Sequence, residues 1–169
     1  KIEFVTVRDS ESELLRYGPL GKVPALQIGS DLFSDTRIVV NMLEFASSRA
    51  RLTAKNGNAS DLAFEGFCLG FLESIAVWIR ESRRKPELIS QSLLQVEKDR
   101  AIRCVKHLDQ FEECLTSSLS LASIAVACAL DLAQRRLDFN EVEKYPKLSE
   151  WFHEITKRQS FQMTEPLPI

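Results

Sequence analysis

Two short runs of apolar and β-prone residues, Ala25 to Ile28 and Leu32 to Ser34, flank the turn-forming "GSD", and this pattern predicts a hairpin. Upstream, "IEFVTV" from Ile2 to Val7 alternates like a strand. The polar stretch after it offers a helical turn around Ser12 to Arg16 and ends at Gly18. A helix is predicted from Thr36 onward, with Ile38, Val39, Met42, Leu43 and Phe45 forming a broad apolar face. Residues 1–47 therefore read as mixed α and β. Ser47 to Ser60 is polar, contains Asn-Gly-Asn and reads as a separator, so residues 48–60 are assigned as a linker.

Beyond the linker no strand pattern occurs, and residues 61–169 are predicted to be all helical. Asp61 to Glu81 is one long helical stretch. Pro86 to Leu115 is a second, with apolar residues from Leu88 through Phe111 at roughly 3.6-residue spacing. Leu121 to Leu130 is apolar or small on every side, the pattern of a helix surrounded by others. Ser120 supplies its N-cap, and Ser123 stands at the return position of a capping box. Pro146 opens a last helix with Leu148, Trp151, Phe152 and Ile155 on one face, and "TEPLPI" reads as an irregular tail.

Composition narrows the functional classes. The chain has 169 residues, 44% hydrophobic and 27% charged, as in an ordinary globular protein. Its net charge of -2 offers no basic field for nucleic acid or for an anionic membrane. The longest apolar run, Leu121 to Leu130, is too short to span a bilayer, and no stretch has the pattern of a signal peptide. Cys68, Cys104, Cys114 and Cys128 are far apart, with no CxxC pair, which fits free thiols in a reducing, cytoplasmic setting. No residue set has metal-ligand spacing, so no metal is expected.

Two places carry candidate chemistry. In "GPLGKVPAL", Pro24 follows Val23 where a strand should begin. Proline cannot donate in a ladder. A cis bond would turn the Val23 N–H and C=O toward an extended peptide, whereas a plain trans turn would need no ligand. In "FSDTRIV", Asp35 and Thr36 open a helix, where a carboxylate or hydroxyl caps the backbone, and the same terminus can also hold a ligand carboxylate.

Taken together, "GPLGKVPAL", the acidic and hydroxyl pair at Asp35-Thr36, "SLASIAVACAL" and "YPKLSEWFHEITKRQSFQMTEP" resemble cytosolic glutathione transferases of bacterial type. The resemblance covers essentially the whole chain and implies an α+β architecture: a thioredoxin-like N-terminal domain followed by an all-helical C-terminal domain. It also implies glutathione as co-substrate, with no separate cofactor. Lys22, Val23 and Pro24 would hold its cysteinyl and glycyl part, and Asp35 and Thr36 its γ-glutamyl end. A small electrophile or disulfide would lie against Phe67, Phe71 and Trp78. The family further implies a homodimer.

The chain departs from the family at Thr36, where serine is usual, at Ser123, where aspartate is common, and at Leu69, where related bacterial chains often carry a polar residue. The family's first strand and first helix have no counterpart after Lys1. On this reading roughly 20 to 25 residues precede Lys1, about one strand plus one helix. They would carry the Ser, Cys or Tyr that activates the glutathione sulfur for conjugation or thiol-disulfide exchange. A glutathione-transferase-like binding module without catalysis is the competing reading.

Overall fold

The computed structural model describes residues 12–47, 51–54, 58–116 and 118–166. The strand expected at Ile2 to Val7 lies outside these residues. The chain divides into two compact units, Lys1–Thr53 and Ala54–Ile169.

In the first unit a 3-10 turn, Glu13–Arg16, is capped by the Ser12 side chain, and its Leu14 is buried. Strands β1 (Ala25–Ile28) and β2 (Asp31–Ser34) pair antiparallel, with Ala25 opposite Ser34 and Ile28 opposite Asp31. This register leaves a two-residue loop, Gly29-Ser30, and Gly29 takes φ 60, as a first loop position of this kind favours. Asp31 belongs to the strand, so the loop is one residue shorter than "GSD". Helix α1 spans Thr36–Phe45. Of its expected apolar face only Val39 is buried; Ile38 and Leu43 are exposed and Phe45 is 88% exposed. The periodicity sets which residues share a face, but burial needs a packing partner.

The second unit is all helical. Helix α2 (Ala59–Ser82) begins where the Asn58 side chain accepts the Asp61 amide. It is long and apolar enough, by length and composition, to cross a membrane. Its buried residues Cys68, Phe71, Ile75, Trp78 and Ile79 belong instead to the helical core. Helix α5 (Leu121–Leu137) packs most extensively on α2 and supplies buried Ala122, Ala125, Val126, Ala129, Leu130 and Ala133. Its start is the two-serine capping box: the Ser120 hydroxyl accepts the Ser123 amide at 3.1 Å, and the Ser123 hydroxyl oxygen accepts the Ser120 amide at 2.9 Å. α5 ends at Asp138, whose φ of 51 is the left-handed stop more often assigned to glycine.

The continuous helix expected over Pro86 to Leu115 is three elements. Pro86–Leu88 is a 3-10 turn, helix α3 spans Gln91–Asp109, and a short helix α4 spans Glu112–Thr116. The first break has a local cause. The Ser90 hydroxyl accepts the Leu93 amide and starts α3, while the Ser90 amide is taken by the Glu81 carboxylate at 2.6 Å. That bond, with Arg84 alongside, holds the Glu81 carboxyl below its ordinary value. α3 is joined to α2 by a buried polar pair: Ser74 Oγ donates to Glu97 at 2.5 Å, and Arg100 pairs with the same carboxylate. Helix α6 (Pro146–Thr156) buries Leu148 and Phe152, and helix α7 (Gln159–Met163) closes the described chain.

Candidate functional site

The hairpin register brings the two sequence candidates of the first unit to one end of the sheet. Pro24 leads directly into Ala25, Ala25 lies opposite Ser34, and Ser34 leads into Asp35. The Val23–Pro24 peptide is cis. Val23 is 52% exposed, and among the described residues its amide and carbonyl make no backbone hydrogen bond. Lys22 is exposed beside it. Gly21, with φ 51, takes a left-handed turn just before, and a Cβ there would meet the Leu15 side chain at 3.0 Å.

At the other side of this end, Asp35 occupies φ 80 and ψ 135, a conformation rare outside glycine. Its Oδ1 accepts the amides of Arg37 at 2.9 Å and Ile38 at 3.3 Å, so the side chain caps α1. Oδ1 takes both amides, and Asp35 as a whole is exposed. Thr36 is the first helical residue and is half-buried. The result is a peptide edge, a helix N-terminus and an exposed carboxylate within one corner of a single unit.

The three aromatics expected to line a substrate pocket have different surroundings. Phe71, 1% exposed, and Trp78, 8% exposed, are enclosed in the core of the helical unit, and Trp78 meets Phe139 edge-on at 5.4 Å. A side chain so enclosed is packing rather than pocket wall. Phe67 is half-buried and meets the His107 ring edge-on at 4.9 Å, beside Phe64 and Phe111. A different groove of about 600 Å³ lies in the helical unit over Leu115, Trp151 and Ile155, rimmed by Glu150, Lys147 and Arg158. None of the three aromatics lines it.

The cysteines all sit in the helical unit and are free. Burial pushes the Cys68 thiol up to about 12, and burial likewise raises Cys104 and Cys128. Cys114 is exposed. A thiol reagent applied to the native chain should therefore modify Cys114 first and Cys68 only on unfolding. Labelling of Cys68 as fast as Cys114 would contradict the packing. Among the described residues no group of three or more His, Cys, Asp or Glu could hold a metal ion.

Sequence reading passed over Glu44, which gathers the amides of Leu52 and Thr53 from eight and nine residues away. No local spacing signals such a bond, because the carboxylate is on a helix and its partners are in a loop.

The model of the glutathione S-transferase C-terminal domain matches residues 105–159. A glutathione transferase family member from Pseudomonas fluorescens Pf-5, solved with bound glutathione, is 28% identical with a TM-score of 0.83, over 92% of this chain and 78% of its own. A glutathione S-transferase from Methylobacillus flagellatus KT, solved with glutathione bound, is 26% identical with a TM-score of 0.86, over 99% of this chain and 87% of its own. Gtt2 from Saccharomyces cerevisiae, at 17% identity and a TM-score of 0.71 over 89% of this chain and 78% of its own, shares the fold. No curated protein matches significantly. Residues 105–159, which hold the α5 core and its capping box, are thus similar to the glutathione S-transferase C-terminal domain, and over most of its length the chain is similar to solved glutathione transferases.

Proposed function

We propose that this chain binds glutathione at the hairpin corner and serves in its transfer to a small electrophile or disulfide. The observation that carries the reading is the juxtaposition of the exposed Val23 peptide edge, which makes no backbone hydrogen bond among the described residues, with the Asp35-Thr36 start of α1. An extended tripeptide can pair with the Val23 amide and carbonyl as an added strand. Its γ-glutamyl carboxylate is suited to the Thr36 hydroxyl and the positive end of α1, and its ammonium to the Asp35 carboxylate. Lys22 is within the same loop and supplies a cation for the glycyl carboxylate. The glutathione-bound relatives from Pseudomonas fluorescens and Methylobacillus flagellatus support the ligand.

The chemistry is thiol activation. A thiol is mostly protonated near neutrality, and a hydroxyl donor with a helix N-terminus stabilises the thiolate. The thiolate attacks an electrophilic carbon, forming a C–S bond as the leaving group departs with its bonding pair, or a disulfide sulfur, forming a mixed disulfide as the S–S bond breaks and the other sulfur leaves as thiolate. Buried Cys68, Cys104 and Cys128, with raised thiol pKa values, are unsuited to that activation. Of the three aromatics expected against an apolar co-substrate, Phe67 is half-buried, whereas Phe71 and Trp78 are enclosed. A cytoplasmic homodimer completes the reading, and exposed Ile38, Leu43 and Phe45 on α1 offer apolar surface for a second copy.

The test is retention on immobilised glutathione, followed by conjugation of an activated aryl halide above the uncatalysed rate. Retention with conjugation is the expected result. Retention alone would leave a binding module, and failure of the chain to bind glutathione would remove the site.

A further inference from the structure

Helix α6 presents two apolar faces. Leu148 and Phe152 are buried in the helical core, whereas Trp151 and Ile155, further round the helix, are half-buried. The neighbouring α4 has five residues against eleven in α6, too few to cover that second face along its length. What is left is the groove of about 600 Å³, floored by Leu115, Leu119, Trp151 and Ile155. That volume falls in the range that small-molecule ligands occupy. Trp78 meets Phe139, but the Trp151 ring meets no other aromatic ring among the described residues.

The charges along the groove are ordered by position. Lys147, in the first turn of α6, and Arg158, two residues past its end, mark the two ends, roughly 16 Å apart along the helix axis. Glu150 and Glu154 lie between them, one residue before Trp151 and three after it, and Glu112 lines the α4 side. Glu154 is engaged by Lys157. Among the described residues Glu112, Glu150, Lys147 and Arg158 make no ion pair and no side-chain hydrogen bond. The Ser123 hydroxyl, also on the lining, is occupied with the Ser120 backbone. The middle of the groove thus offers an indole face with two unengaged carboxylates, and its cations are held to the ends.

We propose that this groove binds a small apolar organic cation, a quaternary ammonium or phosphonium or a protonated amine on an apolar body. The charge rests over the Trp151 ring with Glu150 and Glu112 to balance it, and the apolar body lies on Leu115 and Ile155. Tryptophan is the side chain that attracts such cations most strongly, and a bulky, weakly hydrated cation loses little on leaving water. Lys147 and Arg158 repel a charge placed at either end, so the groove selects a single compact charge over an extended polycation.

Tetraphenylphosphonium and tetraphenylborate have nearly the same shape and opposite charge, and calorimetric titration of the full chain with each separates charge recognition from simple apolar association. The phosphonium should bind about tenfold more tightly than the borate. Glu150→Lys, at an exposed position, should abolish or reverse that preference. Trp151→Leu should weaken the phosphonium about fivefold or more and keep an apolar floor. If Trp151→Leu lowers the thermal melt, Glu150→Lys alone decides. Binding of neither ion, equal binding of the two by wild type, or a preference that Glu150→Lys leaves unchanged would each overturn the site.

Discussion

Phe71→Ala should lower the unfolding free energy by about 3–5 kcal/mol. Phe71 is 1% exposed in the middle of α2 and belongs to one cluster with Cys68, Ile75, Val126 and Leu130. Removing the ring sacrifices its transfer from water and leaves a hole that the alanine-lined α5 fills poorly, because Ala122, Ala125 and Ala129 carry only a methyl group. Denaturant titration should show a lower midpoint with the slope preserved. A loss below about 1 kcal/mol would mean that the ring borders a cleft after all, and the pocket role withheld from Phe71 would return.

Asp35→Ala should weaken glutathione binding by roughly ten- to a hundredfold, equivalent to about 1.5–3 kcal/mol for a hydrogen bond to a charged group. The alanine variant also loses the bonds to the Arg37 and Ile38 amides, a cap worth about 1 kcal/mol, and places a poorly suited residue at φ 80. Asp35→Asn separates the two roles. Asparagine caps helices as well as aspartate and tolerates positive φ, but it carries no charge. Calorimetric titration of both variants, beside their thermal melts, gives the answer. Weak binding by the asparagine variant with an unchanged melt assigns the charge to the ligand, whereas wild-type affinity in that variant would leave Asp35 with capping alone.

Much of the architecture was legible because its signals are local. A glycine-containing loop between two short β-prone runs gave the hairpin, and Asp35-Thr36 and Ser120 marked the starts of α1 and α5. The two-serine box was visible as a spacing before it was visible as a pair of bonds. The division of Pro86 to Leu115 was hidden by its own apolar spacing, which runs across Ser90 and Gln110 without interruption. Ser90 is a good cap, but a serine within a periodic stretch is recognised as one only when Glu81 is seen holding its amide. Likewise, which half of the α1 face is covered depends on what lies opposite, and Phe45 shows that an apolar face can be correctly identified and still meet solvent. The hairpin corner was legible as two motifs. Their adjacency follows from register, through Ala25 opposite Ser34, which sequence spacing leaves free.

The small residues of α5 have a consequence for how such a chain can diverge. Ala122, Ala125, Ala129 and Ala133 recur every three or four positions and are all buried, so a methyl group is close to the upper size limit at each. Enlarging one would force neighbouring helices apart at a cost of about 1–3 kcal/mol. Inherited variation along this helix is thereby channelled to the half-covered positions Ile124, Cys128 and Leu132, where a change in volume meets solvent on one side.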